Sequence, residues 1–520
     1  MIDNPFSIKT VKPFLSLCKM KIFNGLALFL LVPILTAISF SGCTEDSVKA
    51  PKGESYLVDT IPTPEGLVAE TGAIDFLPDG RLVAAFIRGE VMIYDPNSNT
   101  WSLFATGLHE PLGLQAVNNS EILAMQLPEL TRIKDTDGDG KADSFENMTD
   151  AFGMTGNYHE FAYGPVRDHQ NNLYIALNLA SSGGTIRDEV RGKLDSTDRR
   201  NKTNMYSFVP YRGWVLKVDS LGNVSPFAMG FRSPDGLVTD SSGNLFVTDN
   251  QGDWVGTSPL YHVQEGKFYG HPASLHWKVD WNRGNPFKLP RKQLDSMRTK
   301  AAVLFPHNIM GNSITQPVFD NTGGKFGPFT GQMFVGDMNE NKILRVILEK
   351  VGGIYQGACI PFIFGKGLRK GNHRLAFAPD GALWVGQINK GWMQGDKGIQ
   401  RIKYTGAPVM DVLSMNLTKN GFDLHFTQPL NTDSASDPSK YSFRHYYYEY
   451  HDAYGSDQFD VRQVPVTKVS ISQDRKKISV SLATLKPGYV YELKLGNIIS
   501  EKGTPLANHL ICYTLNNLLP

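Results

Sequence analysis

Residues 236–249 read GLVTDSSGNLFVTD, and this phrase predicts how the chain folds. Two short apolar stretches flank a polar turn that contains a glycine, and glycine readily takes the positive φ that tight hairpin turns need. The second stretch has the alternating pattern of a strand that buries one face. The phrase therefore predicts two antiparallel strands joined by a tight turn.

The same phrase recurs along the chain. The other copies are IDFLPDGRLVAAF at 74–86, LGLQAVNNSEILAM at 112–125, GPVRDHQNNLYIAL at 164–177, QPVFDNTGGKFGPFTGQMFVGD at 316–337 and LAFAPDGALWVGQ at 375–387. Several copies are followed by a further strand, such as VMIYD or WVLKVD. Repeated sheets bury their faces against one another, and closing them into a ring removes their edges. We therefore predict an all-β chain in which residues 66–407 form a six-bladed β-propeller, with an open sandwich as the alternative.

The pattern changes after Gly406. Residues 408–520 contain strands such as FDLHFT and KISVSLA but lack the propeller phrase. Residues 482–508, LATLKPGYVYELKLGNIISEKGTPLAN, resemble the Ig-like β-sandwich modules appended to bacterial surface proteins. We predict a separate small Ig-like sandwich here. The tyrosine-rich segment 446–450 could stack on sugar rings or pack in the core.

The N-terminal region resembles an export signal. Lys19 and Lys21 precede an apolar run at 26–40 that is short for a membrane span. The run ends in Phe-Ser-Gly-Cys43, which resembles the lipobox of bacterial lipoproteins, in which the cysteine thiol is acylated after cleavage. An ordinary signal peptide is the alternative.

This leader indicates where the protein resides. We expect residues 1–43 to be a lipoprotein signal peptide, although Met20 opens a more typical leader than Met1 does. Residues 44–65 are expected to be a linker. The mature chain would then be held through Cys43 in the outer membrane of a bacterial cell envelope, on its periplasmic or surface face.

The composition excludes several classes of function. A formal net charge of +1 over 520 residues gives no basic excess to attract nucleic acid. None of the four cysteines forms the CxxC or CxxCH pattern of a zinc ribbon or a covalently attached haem. Cys359 and Cys512 could form a disulfide in an oxidising compartment or remain as two buried thiols.

Residues 135–146, DTDGDGKADSFE, have the spacing of an EF-hand calcium loop. Carboxylates stand at loop positions one, three, five and nine, with glycine at six and glutamate at twelve. The predicted calcium ligands are Asp135, Asp137, Asp139, the main-chain carbonyl of Lys141, Asp143 and Glu146. The flanking residues do not look like paired helices. We therefore expect a structural loop inserted in a blade near the propeller mouth, with an acidic solvated turn as the alternative.

Two further motifs precede propeller phrases. GNYHE at 156–160 contains His159, and GFRSPDGL at 230–237 contains Arg232. Loops that lead into the inner strands of a propeller gather around its channel, so both motifs are predicted to reach one site. His159 could act as a general base, and Arg232 could hold a carboxylate or carbonyl. Alternatively, each could simply make local hydrogen bonds.

These motifs are similar to those of the soluble quinoprotein glucose/sorbosone dehydrogenases. The similarity covers the spacing from His159 to Gly164-Pro165 and the GFRSPDGL phrase with its LFVTD strand, within residues 70–406. The phrases LHEPLGL, DTDGDGKAD and FYGHPASLHW resemble a sorbosone dehydrogenase-like branch. The resemblance implies a six-bladed propeller that carries pyrroloquinoline quinone (PQQ) near calcium. It also implies that His159 takes the substrate proton, that hydride passes to PQQ, and that Arg232 contacts the cofactor.

The chain departs from the family pattern at several positions. Tyr158 stands where the family has an acidic residue, and Asn339 stands where a cofactor-binding lysine is expected. An expected pair of arginines falls within residues 369–374, where Arg374 is the predicted cofactor contact. Gln115 is a further predicted contact. Because PQQ carries three carboxylates, a missing cation should weaken its binding.

Other candidate site residues stand in loops before or after the predicted blade strands, where propeller sites form. They are His109, Glu110, Asp249, Asn250, Asp253, Trp254, His271, His307, Asn308 and Trp392.

Together these features predict an exported lipoprotein oxidoreductase that oxidises a sugar or related alcohol with PQQ. His159 is the predicted general base. Because the chain has no haem motif, such an enzyme would need a separate electron acceptor. The alternatives are a non-redox calcium-containing propeller that binds or cleaves glycans, and a scaffold protein.

Overall fold

The computed structural model describes residues 54–195, 204–389 and 395–520. The predicted signal peptide, its Cys43 and the candidate Trp392 lie outside these residues. No helix among the described residues has the length and hydropathy needed to cross a membrane.

Strand β1 (Tyr56–Ile61) comes first in the described chain. Blade 1 follows, with β2 (Thr71–Phe76), β3 (Leu82–Phe86), β4 (Val91–Asp95) and β5 (Thr100–Ala105). Blade 2 consists of β6 (Gly113–Asn118), β7 (Glu121–Met125), β8 (Leu130–Lys134) and β9 (Ser144–Thr149). Blade 3 begins with β10 (Ala162–Arg167) and β11 (Leu173–Leu177). An insertion then pairs β12 (Ala180–Ser181) with β13 (Met205–Tyr206), and β14 (Trp214–Val218) and β15 (Val224–Met229) complete the blade.

Blade 4 comprises β16 (Pro234–Thr239), β17 (Leu245–Asp249), β18 (Ser258–Val263) and, after an insertion, β19 (Val303–Phe305). The insertion holds two 3-10 helices (Pro272–Trp277 and Pro286–Lys288) and helix α1 (Arg291–Met297). Blade 5 comprises β20 (Ile314–Phe319), β21 (Met333–Asp337), β22 (Lys342–Val351) and β23 (Ile354–Phe364). Blade 6 comprises β24 (Asn372–Phe377), β25 (Leu383–Gln387), β26 (Gly398–Tyr404) and β1.

The blades form a closed ring within the described residues. The innermost strands are the first of each blade as given above: β2, β6, β10, β16, β20 and β24. Each contacts the innermost strand of the next blade, and β24 contacts β2. The close approach of these strands explains the glycine at the start of the phrase, because a Cβ on Gly236 would lie 2.3 Å from Cα of Gln316. The all-β fold with a propeller is therefore confirmed, and each copy of the phrase forms the two innermost strands of a blade.

Strand β1 corrects the predicted boundary of the propeller. It pairs with β26 from Tyr56↔Tyr404 to Ile61↔Ile399 and forms the outer edge of blade 6. Residues 56–61 are therefore a propeller strand and not part of a linker over 44–65. The segment YLVDTI contains no propeller phrase, and it finds its partner only when the ring closes.

The C-terminal residues form a two-sheet sandwich. Its elements are β27 (Val412–Thr418), β28 (Gly421–Phe426), α2 (Thr432–Ser436), a 3-10 helix (Pro438–Lys440), β29 (Tyr441–Tyr448), β30 (Gln458–Val464), β31 (Val466–Ile471), β32 (Lys477–Leu482), β33 (Tyr489–Leu495) and β34 (Leu510–Leu515). One sheet has the order β27-β28-β32-β31, and the other contains β34-β33-β29-β30. Apolar side chains of both sheets share one core. Its assignment as an Ig-like module stays a prediction.

The sandwich is not separate from the propeller, which corrects the prediction. Strand β34 pairs with β23 of blade 5, so the second sheet continues into that blade as eight strands. Ile347 and Ala358 of blade 5 belong to the sandwich core. Cys359 and Cys512 lie opposite each other across this junction, and both are buried free thiols in the structure.

Candidate functional site

The two predicted catalytic residues meet at one end of the channel. We call the end at which the innermost strands begin the mouth. His159 precedes β10 and Arg232 precedes β16, so both lie in loops that enter the mouth. The peptide of Leu179 joins them, because its N–H donates to the carbonyl of Arg232 (3.1 Å) and its carbonyl oxygen lies 2.8 Å from His159 Nδ1. The structure therefore brings this predicted pair together.

The contacts of His159 define its tautomer. The carbonyl of Leu179 can only accept, so Nδ1 carries the proton and Nε2 presents a lone pair. Nε2 has no hydrogen-bond partner among the described residues and is not sealed from solvent. Burial, and then the charge of Arg232, lower the pKa of His159 to about 4. The imidazole is therefore neutral near pH 7, with the lone pair of Nε2 unprotonated.

A buried asparagine fixes the loop that carries His159. The Asn157 side-chain oxygen accepts from the backbone N–H groups of His159 (3.1 Å) and Ser181 (3.0 Å). Its amide nitrogen donates to the carbonyl of Ser181 at 2.9 Å. Asn157 lies within GNYHE but is not among the site residues predicted from the sequence. It stands between the half-buried Gly156 and the exposed Tyr158, so its neighbours give no sign of its burial.

Asp253 anchors Arg232 through a buried ion pair. Arg232 Nε donates to Asp253 Oδ1 at 2.8 Å. The other carboxylate oxygen accepts from His271 Nε2 (3.0 Å) and from the backbone of Met205 (2.9 Å). Burial alone would raise the pKa of Asp253, but His271 and Arg232 outweigh it and hold the pKa below its ordinary range. Asp253 is therefore an ionised anchor that supports the site.

The guanidinium of Arg232 has a fixed place. A Cβ on Gly252 would come within 1.9 Å of Arg232 Nε, so only glycine fits beside it. The backbone N–H groups of Arg232 and Ser233 donate to Asp249 at 2.8 and 2.7 Å. The terminal nitrogens of Arg232 have no hydrogen-bond partner within the described ranges and are not sealed from solvent. These nitrogens are available to an oxygen of a bound ligand.

Arg374 lies inside the channel, below the mouth. Its Nε donates to the carbonyl of Gly72 (2.9 Å), and one terminal nitrogen donates to the carbonyl of Asp235 (2.7 Å). Its guanidinium carbon lies 4.7 Å from the ring centroid of Tyr163. His373 adds a contact of 3.1 Å between its Nε2 and the Asp235 carboxylate. We call these four side chains (Tyr163, Asp235, His373 and Arg374) the channel plug.

The remaining predicted cofactor contacts are separated from each other. Gln115 lies at the opposite end of the channel, where Arg167 Nε donates to its side-chain oxygen (3.3 Å) beside a cavity of about 760 Å³. Asn339 follows β21 at the mouth, and its backbone N–H donates to Asp337 at 2.8 Å. Its side-chain oxygen is buried without a partner in the described structure. The structure therefore places Arg232 and Asn339 at the mouth but not Gln115 or Arg374.

The other candidate residues mostly support the loops around the mouth. Asp249 accepts backbone N–H groups, and the ring of Trp254 lies 5.1 Å from that of Tyr450. The backbone N–H of His307 donates to the hydroxyl of Thr257. The remaining members lie in loops before or after blade strands: His109, Glu110, Asn250, Asp253, His271 and Asn308.

Residues 94–401 match the family described as a domain of unknown function (DUF7133), and this match covers more than half of the chain. The chain belongs to the DUF7133 family. The DUF7133 match extends from β4 in blade 1 to β26 in blade 6, so it includes the loops of His159 and Arg232. No curated protein matches the chain.

Solved structures similar to this DUF7133 chain include sugar dehydrogenases. One is a proposed oxidoreductase (glucose dehydrogenase) from Thermus thermophilus, with 18% identity, a TM-score of 0.46, and coverage of 67% of this chain and 99% of that chain. Another is the PQQ-bound aldose sugar dehydrogenase of Streptomyces coelicolor, with 14% identity, a TM-score of 0.44, and coverage of 68% and 99%. The PQQ domain of pyranose dehydrogenase from Coprinopsis cinerea has 13% identity, a TM-score of 0.46, and coverage of 68% and 98%. At this identity the likeness concerns the fold alone.

The DUF7133 segment also contains the predicted calcium loop, which joins β8 to β9. The carboxylates of Asp135, Asp137 and Asp139 lie within 4.8 Å of one another. The two predicted ligands at the end of the loop point elsewhere. The Asp143 carboxylate accepts from the Thr136 hydroxyl (2.7 Å), and Glu146 accepts from Lys134 Nζ (2.8 Å). The structure therefore gathers three of the predicted carboxylates and not all five.

The loop is far from the mouth, which corrects the expected position. The backbone N–H of Asp135 donates to the carbonyl of Ser120 at 2.9 Å. Ser120 lies in the turn between β6 and β7, at the end of blade 2 opposite the mouth. A four-stranded antiparallel blade puts the turn after its first strand and the turn after its third strand at the same end. Any calcium here would therefore support blade 2 and not the mouth.

Proposed function

We propose that the mouth binds a sugar or related alcohol and that His159 accepts a proton from one of its hydroxyl groups. The observation that carries this proposal is the tautomer of His159, whose Nδ1–H is held by Leu179 while Nε2 remains open. A candidate general base must present a lone pair within reach of the proton that it removes. The loop contacts of Asn157 keep the imidazole in this orientation.

Arg232 would stabilise the oxygen that loses its proton. Its terminal nitrogens are available at the mouth, while its Nε is held by Asp253. Positioned donors that point to a developing oxyanion stabilise the transition state without having to reorganise. The positive charge of Arg232 also helps to keep His159 neutral, because it lowers the pKa of the imidazole. At neutral pH His159 is thus in the unprotonated form that a general base requires.

The predicted PQQ contacts do not fit PQQ. A cofactor with three carboxylates needs several cations around it. Gln115 and Asn339 are uncharged, and Gln115 lies at the wrong end of the channel. Arg374 is enclosed in the channel plug, so Arg232 is the one cation among the predicted contacts that reaches the mouth, and one cation does not match three carboxylates. We therefore propose that the site binds and cleaves a glycan without PQQ. The hydroxyl oxygen that gives its proton to His159 would attack the anomeric carbon of the same glycan, and the glycosidic C–O bond would break. The His159 imidazolium would then return the proton to the leaving oxygen.

Oxidation of a sugar with PQQ is the second candidate. The accessible guanidinium nitrogens of Arg232 beside an open histidine nitrogen favour it, because they could receive a carboxylate of the cofactor. The enzyme would then pass electrons to a separate acceptor.

Calorimetric titration separates the two candidates. We expect the protein from residue 44 onward to bind a sugar or oligosaccharide with a Kd of roughly 1 mM or tighter, as is usual for enzyme substrates. We expect no saturable heat with PQQ and calcium, and no sugar-dependent dye reduction. Tight binding of one PQQ per chain with dye reduction would contradict the proposal and establish the second candidate.

We also propose that the chain is exported and anchored through Cys43 to the outer membrane. The features that support this are the charged and apolar segments that precede Phe-Ser-Gly-Cys43. A site at the mouth would then meet its sugars in the cell envelope or outside the cell.

A further proposal concerns calcium at residues 135–146. The three gathered carboxylates and the carbonyl of Lys141 could hold the ion, but Glu146 would first have to leave Lys134. A site with so few ready ligands should bind with a Kd of about 10⁻⁴–10⁻³ M. About 10 mM calcium should then raise the free energy of unfolding by roughly 1–3 kcal/mol through mass action.

Urea unfolding of the wild type with calcium or magnesium measures this effect. The Asp137→Asn variant should lose most of the calcium stabilisation, while Asp474→Asn, which changes an exposed carboxylate in the sandwich, should keep it. Equal stabilisation of wild type and Asp137→Asn would show that the ion acts elsewhere.

A further inference from the structure

A loop of the C-terminal sandwich reaches the mouth of the propeller. It connects β29 to β30 and runs beside the loop that carries Asp253. The backbone N–H of Trp254 donates to the carbonyl of His451 (2.9 Å), and that of Gly455 donates to the carbonyl of Gly252 (3.0 Å). Asp253 and Tyr454 form a β-bridge between these bonds. The sandwich is thus tied to the segment that anchors Arg232.

This loop places Tyr454 over the guanidinium of Arg232. The guanidinium carbon lies 5.3 Å from the centroid of the Tyr454 ring, within the range of a cation–π contact. Arg232 is almost fully buried, whereas Tyr454 is 68% exposed. The tyrosine therefore covers the arginine with one face of its ring and leaves much of its surface open at the mouth.

The backbone around Tyr454 is held in place. Beyond the pairing with Gly252, the N–H of Ser456 donates to the carbonyl of Gly256 at 2.9 Å. Gly455 has a φ of +66°, and a Cβ there would lie 2.9 Å from the side-chain nitrogen of Gln251. Single exposed aromatic side chains are common on protein surfaces. Tyr454 differs because a fixed backbone holds it against a residue of the proposed site.

We propose that Tyr454 is a specificity-determining residue whose open ring face stacks on the C–H face of a pyranose ring bound at the mouth. The face of an aromatic ring is electronegative, and the C–H groups of a sugar ring are weakly electropositive, so the two attract. The inference rests on the proposed function: because the Tyr454 ring lies between its open face and Arg232, the stacked pyranose is a neighbour, in the same glycan, of the sugar that His159 deprotonates. It also assigns a role to the sandwich, which completes a site built on the propeller.

Titration of the same panel of sugars with matched variants tests this role. Tyr454→Ala should raise Kd and KM by about tenfold or more, as truncation of a central aromatic contact does, and change kcat far less. Tyr454→Phe keeps the ring and should bind like the wild type. Phe364→Ala is the matched control, because Phe364 is 59% exposed and also lies over a cation, Lys342, at the outer strand of blade 5.

The outcomes distinguish failure of the role of Tyr454 from failure of the proposed function. Unchanged Kd and KM in Tyr454→Ala, with sugar bound by the wild type, would overturn the role of Tyr454 and leave the proposed function standing. Equal weakening in Phe364→Ala would also overturn it. If Tyr454→Ala loses PQQ binding instead of sugar binding, the ring stacks on a flat cofactor and the sugar assignment is wrong. Absence of sugar binding by the wild type would overturn both proposals.

Discussion

Replacing His159 with alanine is expected to lower kcat for the bound sugar by about 10²- to 10⁴-fold, the usual contribution of a general base. The Kd of the sugar should change by less than about threefold, because a proton acceptor acts mainly in the transition state. Stopped or continuous assays of sugar consumption measure kcat, and calorimetry measures Kd. This pattern is the opposite of that expected for Tyr454→Ala, so the two roles can be separated.

The pH dependence supplies an independent check on His159. A base works only when unprotonated, and burial followed by the charge of Arg232 lowers the pKa of His159 to about 4. In the free enzyme, kcat/KM should therefore stay flat as the pH falls from 8 to 6 and decline only as the pH approaches 4. A decline centred near 6.5 that persists in His159→Ala would assign the base to another residue.

His169 offers a matched control for this variant. It lies in the turn between β10 and β11, at the end of the channel opposite the mouth, and its Nε2 contacts the carbonyl of Ser241. His169→Ala should leave kcat and Kd unchanged. If His159→Ala retains turnover within about threefold of the wild type, His159 is not the general base, since a base contributes far more.

Replacing Asp253 with alanine is expected to lower the free energy of unfolding by about 3–5 kcal/mol, the cost of breaking a buried ion pair by removing one partner. The carboxylate serves Arg232, His271 and the backbone of Met205 at once. Its loss would leave the guanidinium buried without its charge partner. The same variant should lose sugar turnover, because Arg232 would no longer be held beside His159. Urea unfolding and the sugar assay measure the two effects.

A double-mutant cycle separates the free energy of the Asp253–Arg232 ion pair from the other interactions that each substitution removes. Arg232→Ala in the Asp253→Ala background removes the stranded cation, so the double variant should be less destabilised than the sum of the single variants, by about 0.5–3 kcal/mol. Asp452→Ala changes an exposed carboxylate in the loop beside Tyr454 and should stay within about 0.5 kcal/mol of the wild type. Additive effects of the two single changes would mean that Asp253 and Arg232 act independently.

The repeated phrase predicts the fold correctly because each copy specifies a hairpin through residues that are close together in the sequence. The turn residues and the alternating strand in segments such as 236–249 specify a hairpin wherever they occur, and each copy became the inner half of a blade. The loop before an inner strand must open at the same end of the channel in every blade. This constraint is why His159 and Arg232 could be paired from the sequence.

The sequence did not predict the positions of residues whose place depends on the direction of a strand within the blade or on closure of the ring. Gln115 lies within an inner strand, two residues after the strand begins at Gly113, and its side chain reaches the opposite end of the channel. Arg374 lies in the corresponding part of β24 and is drawn into the channel by Asp235. The linker assignment failed at β1 because a strand that closes the ring pairs with residues at the other end of the propeller.

The hairpins, the repeated sheets and the two loops that carry His159 and Arg232 are predictable from the amino-acid sequence, because turn chemistry and side-chain alternation act over a few residues. Which side chains share the mouth follows from long-range contacts alone. Asp253 pairs with Arg232, Arg374 is enclosed in the channel plug, and Tyr454 of the sandwich lies over the Arg232 guanidinium. These contacts join residues far apart in the chain, and they arise from ring closure and from the sheet shared by β23 and β34.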